Sequence, residues 1–324
     1  MTKIERILIT SSPISGIRAA SKKITLPGFQ KLAVYDVFNA LMVQIQVHGL
    51  NIRAAAISFN FITAIPAITL FLCILVPFVP GSRQVYEQLL LFIKDFTPNS
   101  ETQRIITQFL NDFFNKKTTG LLSVSFLLVV FTSSNAMMGI IRAFDRSVVE
   151  KRKTNFIKKR LRAIRLIITL ISLLIGTILI SVGQGYIFTK IMHWADIKNE
   201  TAIALIQNSR WLVILFLFVY AIGYIYKHAP TVTVRSKLFT PGAVMASVLM
   251  IIITGLFSYW AQNISSYSKI YGTIGSLIIL MLLIFLNSMM LLVGYELNVS
   301  IAALTAKEKK KRGEQISIPF STSH

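Results

Sequence analysis

The chain has 324 residues, 54% hydrophobic and only 15% charged, with a mean hydropathy of +0.64. Soluble domains carry about 25% charged residues, so this composition excludes a soluble enzyme and makes lipid the expected solvent. The 34 Lys and Arg against 13 Asp and Glu give a net charge of +21; a nucleic-acid binder is basic too, but it does not contain uncharged runs of more than about 20 residues.

Residues 1–53 read as a cytoplasmic N-terminal segment. Polar and basic residues interrupt its first 31 positions, and no apolar stretch of signal-peptide length appears. Within it, residues 31–50 set Val34, Phe38, Leu41 and Ile45 against Lys31, Asp36 and Asn39, the pattern of an interfacial amphipathic helix.

A helix needs about 20 apolar residues to cross a hydrocarbon core of ~30 Å. The uncharged run between Arg53 and Arg83 predicts a first span over 54–79. Pro66 interrupts it and predicts a kink, because proline removes a backbone donor and frees a carbonyl near Asn60 and Ile62. Cys73, the sole cysteine, lies in the same run; it excludes an intramolecular disulfide and reads as an inert thiol. Residues 103–115 form a second amphipathic pattern, with Ile105, Phe109, Leu110 and Phe113 opposite Arg104, Gln108 and Asp112.

Span two, 118–141, ends on the polar cluster Ser133, Ser134 and Asn135, followed by Arg142 and Asp145. Such groups serve either as hydrogen-bonded glue between helices or as part of a substrate path. Arg142 and Asp145 are three residues apart and can pair on a continuing helix; Arg142 could instead grip an anionic head group. Spans three and four are predicted at 166–189 and 205–226, the latter with Arg210 near enough to the interface to snorkel.

Span five, 241–263, opens with Pro241 and Gly242 and closes in a polar hinge containing Gln262, Asn263, Ser265, Ser266, Tyr267 and Tyr271. Gly272 and Gly275 then open span six, 272–295. Pro66, Pro241, Gly242, Gly272 and Gly275 are assigned to helix packing or hinges, since small residues let helices approach closely. Glu296, with Asn298 nearby, is the one carboxylate attached to the end of an apolar span. An ionisable group there is a functional candidate; the alternative is a pairing with one of the many local Lys and Arg side chains. The basic tail 307–324 reads as disordered.

The fold class expected is thus all-α: a polytopic membrane bundle of six helices over 54–306, plus interfacial amphipathic helices. The N-terminal segment, the loops 142–165 and 227–240 and the tail hold 25 of the 34 basic residues, and six spans put all four on one side. Basic loops stay in the cytoplasm, so both termini are expected there, in a multi-pass plasma-membrane protein. Four scattered histidines, His48, His193, His228 and His324, lack metal-ligand spacing, so no metal, cofactor or catalytic residue is assigned. No Walker A sequence is present to power transport.

Four stretches taken together resemble the YihY/virulence factor BrkB family of bacterial inner-membrane proteins over roughly 35–305. They are RAAAISFN…AIP, GLLS…SSNAMMGIIRAFDR, HAP…PGAVMAS and SSYSKIYGTIGS…GYELNVS. The last is the most specific, carrying Tyr267, Tyr271, Gly272, Gly275, Glu296 and Asn298; Phe131-Thr132 departs from the family pattern in span two. The resemblance implies a six-helix inner-membrane protein linked to envelope integrity and proposed to transport lipid-like components. It also carries an old label, ribonuclease BN.

The leading expectation is a transporter or flippase of an amphiphilic or anionic envelope component, not an enzyme. Its candidate path is Ser133, Ser134, Asn135, Arg142, Asp145, Asn263, Tyr267, Tyr271, Glu296 and Asn298. The alternative is a non-transporting scaffold that binds anionic lipids or an envelope partner; a ribonuclease ranks third. Expected partners are membrane lipids, with anionic head groups at the cytoplasmic basic loops, and a second copy of the chain is admitted. No specific nucleic acid is expected, because a charge of +21 attracts any polyanion.

Overall fold

In hydrocarbon, each backbone N–H and C=O must find its partner inside the chain, and a run of Leu, Ile, Val and Phe achieves this as an α-helix. The structure, a computed structural model, describes residues 25, 28–30, 32–47, 49–75, 104, 107–108, 111, 119–147, 155–195, 200–231, 238–263 and 265–312; along 72–75, 178–195, 200–211 and 261–274, and at 69, 119, 121 and 276, the backbone alone is described. Among the described residues there are seven long helices and no strand. They are α1 (Val34–Val47), α2 (Leu50–Leu75), α3 (Thr119–Asp145), α4 (Phe156–Ala195), α5 (Glu200–His228), α6 (Pro241–Asn263) and α7 (Ser265–Lys311). Of the amphipathic pattern 103–115 only Arg104, Thr107, Gln108 and Asn111 are described, all helical.

Four segments of described residues are long and apolar enough to cross a membrane: Leu50–Ile68, Leu122–Asp145, Pro241–Trp260 and Leu277–Lys311. Leu212–His228 is a shorter apolar helix. Their outer faces are apolar, with Leu127, Phe216, Ile251 and Leu277 all more than half exposed or close to it. A soluble protein would bury such side chains; lipid would cover them.

Several boundaries depart from the sequence reading. Helix α4 has 40 residues and α7 has 47, or ~60 and ~70 Å at 1.5 Å per residue, about twice the hydrocarbon thickness. Residues 156–165, expected in a basic loop, are the first turns of α4, and Lys307–Lys311, expected in a disordered tail, complete α7. The reason is that hydropathy reports the length in lipid, whereas Lys, Arg and Glu are good helix formers in water. The polar hinge before span six is also largely helix: α6 ends at Asn263 and α7 starts at Ser265. Residues 313–324 and 1–24 lie outside the described residues.

The chain divides into two compact units, Phe59–Ala136 and the remainder. In the smaller, Phe71 and Phe126 bring ring centroids to 5.9 Å. Pro66 sits inside α2 with its ring exposed, and Thr63 Oγ1 donates to the nearby Asn60 carbonyl (3.0 Å). That bond lies one turn before the proline, while the carbonyl that Pro66 leaves without its helical donor is that of Ile62.

In the larger unit α6 and α7 pack along each other, α1 lies on α7, and α5 touches both α4 and α6. Helix α1 buries Val37 and Leu41 against Leu297 and Ile301, in a cluster completed by Phe29 and Leu32. Phe38, expected on that face, is instead 56% exposed along with Val47. Val34, Leu41 and Ile45 keep the expected face, and Val37 takes the place expected of Phe38. Helices α6 and α7 approach tightly at Gly242 and Gly294. A Cβ on either would overlap the other's carbonyl oxygen, and at Gly294 it would also strike Ala246 and the Tyr226 hydroxyl.

Gly294→Ala should therefore cost about 3 kcal/mol, the upper end of overpacking penalties, since backbone cannot move aside as a side chain can. A Cβ added at Gly255, also in α6, would meet nothing within 4 Å, and Gly255→Ala should be neutral or stabilise by up to about 1 kcal/mol through helix propensity. Thermal unfolding in detergent compares the two; equal transition temperatures would show that the glycine contact is not tight.

Candidate functional site

Glu296 in α7 is fully buried, and a buried carboxylate is tolerable only when a cation and donors meet it. Arg53, on the first turn of α2 and 2% exposed, supplies the cation: its Nη2 lies 2.6 Å from Glu296 Oε1. Arg53 Nη1 donates to the Ala143 carbonyl (3.0 Å) in α3 and to Ser147 Oγ (2.7 Å). Ser147 Oγ in turn donates to Glu296 Oε1 at 2.5 Å. One arginine thus ties the start of α2, the end of α3 and the second half of α7.

An aromatic cluster adjoins the pair. Phe144 of α3 stacks on Tyr295 of α7 (centroids 4.0 Å, 13° between planes) and meets Tyr226 of α5 edge-on at 5.7 Å. Tyr226 donates to the Leu291 carbonyl (2.6 Å). Glu296 Oε2, Arg53 Nε, Tyr295 Oη and Ser300 Oγ are buried and have no hydrogen-bond partner among the described residues. A buried polar group costs about 1–3 kcal/mol while unpaired, so these atoms leave hydrogen-bonding capacity in this part of the bundle unused.

Two further polar centres lie at the same helix ends. Asp145 accepts from Thr231 N (2.7 Å) and Thr231 Oγ1 (2.6 Å) beyond α5, and from Lys159 Nζ (3.1 Å) in α4. Asn298 accepts from Gly242 N (3.0 Å) and donates to Thr240 Oγ1 (2.9 Å); Thr240 Oγ1 then caps α6 by accepting from Ala243 N (3.2 Å). Pro241 occupies the first helical position, where its missing N–H costs nothing. The first turns of α2, α4 and α6 and the last described turns of α3 and α5 are therefore joined to one another or to the 291–300 stretch of α7.

Of the residues singled out from sequence, Glu296, Asn298, Asp145, Pro241 and Gly242 fall in these networks. The Arg142–Asp145 pair does not form: Arg142 is exposed and its Nε donates to the Met138 carbonyl (3.1 Å), while Asp145 turns to Lys159 and Thr231, which local spacing cannot foresee. Ser134 is buried but donates to the Phe131 carbonyl of its own helix (3.1 Å), a back-bond that satisfies it locally. Ser133 and Asn135 are half-buried, and Gly275 is buried. The side chains of Asn263, Tyr267 and Tyr271 lie outside the described residues, as does everything at Gly272 but its helical backbone. Arg53, Ser147, Tyr226 and Tyr295 belong to these contacts and are residues that the sequence reading does not single out. For Arg53 a signal exists, since a lone carboxylate in an apolar span needs a cation, and Arg53 flanks the alanine-rich entry to α2.

A family model described as virulence factor BrkB matches residues 41–318. The chain is 26% identical over 267 residues to a ribonuclease-like protein, YfkH, of Bacillus subtilis (strain 168), a match that covers 82% of this chain and 93% of that one. A UPF0761 membrane protein of Psychrobacter sp. (strain PRwf-1) is 24% identical over 269 residues. There the match covers 82% of this chain but 48% of the relative, so the chain spans about half its length. A UPF0761 membrane protein of Xanthomonas axonopodis pv. citri (strain 306) is 34% identical over 88 residues, 27% of this chain and 21% of that one. No solved structure matches.

Ser147→Ala should lower stability by about 1–3 kcal/mol, because it removes the hydroxyl that relays between two buried charges. Ser134→Ala, which breaks only a bond within one helix, should cost less than about 1 kcal/mol. Melting of the two purified variants in detergent tests the contrast; equal losses would deny Ser147 its bridging role.

Proposed function

The chain belongs to the virulence factor BrkB family of membrane proteins, and from that membership we propose a six-span bacterial inner-membrane protein that moves an amphiphilic anion of the envelope between leaflets. The observation that carries the reading is the buried Arg53–Glu296 pair with polar capacity left over around it. Charged groups inside membrane bundles are costly and line substrate or ion paths by default. In this reading the pair and Ser147 form the closed inner gate, and breaking them separates the start of α2 from α7.

The gathering of alternate helix ends supports six crossings: a chain that threads back and forth brings the start of every second helix to the same side. The ten basic residues of 142–165 favour the cytoplasm for that side and for both termini. With that orientation, the exposed Phe38 and Val47 of α1 suit a helix resting in the inner interface.

The scaffold reading draws on the same network, since three inter-helical bonds at one arginine also describe a structural clamp. A ribonuclease comes third. That word belongs to the name of the Bacillus relative; a two-metal nuclease needs clustered ligands, and here Asp145 and Glu296 are each engaged by a basic side chain.

Proteoliposomes containing a fluorescent anionic lipid, treated with an impermeant quencher, decide between the first two. The wild type should expose inner-leaflet label faster than protein-free vesicles. Arg53→Lys, which keeps the charge but loses the planar fork, should slow this by about tenfold or more, the worth of a charge-assisted bond. A wild-type rate equal to that of empty vesicles would make the scaffold the better reading.

A further inference from the structure

Outside the Arg53–Glu296 network, a pocket of ≈ 400 Å³ opens between α4 and α5. Lys158, Leu161, Arg162, Arg165 and Leu166 line it from α4, and Tyr224, Lys227 and His228 from α5, with Pro230 beyond. On α4 these positions are successive members of one helical face, three and four residues apart, and the same spacing recurs on α5. Two basic faces are thereby turned towards one cavity. Among the described residues no carboxylate lines it, and none of the four Lys and Arg side chains is in an ion pair. Asp145 is taken by Lys159, which is not in the lining.

This arrangement is unfavourable on its own account. Like charges at i, i+4 on a helix repel, and here Lys158 and Arg162 stand in that relation while Lys227 faces them from α5. Positive-inside topology explains why such residues are in the loop region, but not why they converge on a concave wall. The wall is also held in place. Arg162 Nη1 donates to the Pro230 carbonyl (2.7 Å), which fixes the guanidinium with its other N–H groups left over. The His228 ring lies against Tyr224, tilted by 32° (centroids 4.2 Å), and because its Nδ1 lies 3.1 Å from the Tyr224 carbonyl, which can only accept, that nitrogen carries the proton. Tyr224 is itself tied to Thr169 by a 3.1 Å hydroxyl contact.

We propose that this pocket is a binding site for a phosphate monoester. A carboxylate would neutralise one of four positive charges; a monoester carries up to two negative charges and three acceptor oxygens, which suits donors arriving from two helices. Leu161, Leu166 and the Tyr224 ring give the same cavity an apolar side. It lies where the basic turns of α4 give way to its apolar stretch at Leu166, and where the apolar helix Leu212–His228 ends. That is the depth of lipid head groups, so both a lipid and the aqueous phase can deliver the phosphate. The site stands whether or not the protein moves its ligand across the bilayer.

Calorimetric titration of the full chain in phosphatidylcholine nanodiscs tests it, with short-chain phosphatidic acid, short-chain phosphatidylglycerol and inorganic phosphate as probes. Phosphatidic acid should bind about tenfold more tightly than the singly charged diester phosphatidylglycerol. Lys158→Gln with Lys227→Gln, two side chains that hold no other part of the structure together in these networks, should weaken phosphatidic acid by about tenfold or more. Lys309→Gln with Lys310→Gln, exposed at the end of α7, should leave it unchanged. Should the first pair not fold, Arg165→Gln alone carries the same test. Inorganic phosphate that competes at comparable affinity assigns the ligand to solution, and failure to compete assigns it to lipid. Equal loss in the Lys309 and Lys310 control, or no preference of phosphatidic acid over phosphatidylglycerol, would overturn the site, since general attraction to +21 would then account for the binding.

Discussion

A carboxylate taken out of water is destabilised by several kcal/mol unless a cation and hydrogen-bond donors replace its hydration. Glu296 meets that requirement through Arg53 and Ser147, residues on the first turn of α2 and just past the end of α3. The constraint is reciprocal, because Arg53 is equally buried and also spends a donor on the Ala143 carbonyl. Three helices whose apolar faces could slide past one another in lipid are thereby held at one level. Apolar packing alone cannot do this, since lipid tails solvate a leucine surface about as well as another helix does.

The same logic extends around the bundle end. Asp145 joins α3 to α4 and to the turn after α5, and Asn298 joins α7 to the capping hydroxyl of α6. These three centres use a carboxylate, a carboxylate and an amide, and the amide accepts from Gly242 N, one of the backbone donors that the start of α6 leaves unpaired. Where α6 and α7 approach tightly, the absence of side chains at Gly242 and Gly294 brings Asn298 within range of the α6 N-terminus. Sequence, packing and polar connection meet at this point: small residues permit the approach, and the approach permits the cap.

Much of the architecture is legible in the sequence. Uncharged runs locate the long helices, and the fifth expected span, 241–263, coincides with Pro241–Asn263. Glu296 stands out as the only carboxylate attached to the end of an apolar span. Its partner is signalled only in general terms, since a buried carboxylate needs some cation; a basic residue at the mouth of a span is also accounted for by topology, and nothing local connects position 53 to 296. The Arg142–Asp145 expectation fails for the converse reason. A helical spacing of three is visible in sequence, whereas Thr231 and Lys159 reach Asp145 only through the tertiary fold. Helix lengths are underestimated in α4 and α7 because their ends are polar, and polarity marks where lipid stops rather than where the helix does.

The dependence of the bundle end on one ion pair is open to a double-mutant cycle with Arg53→Met and Glu296→Met, read as unfolding free energy in detergent or lipid. Each single change strands a buried charge and should cost about 3–5 kcal/mol, whereas the double variant replaces both by apolar groups of similar length and should recover most of that loss. Losses that simply add would contradict the account, since they would mean that Arg53 and Glu296 act independently and that something else aligns the helix ends.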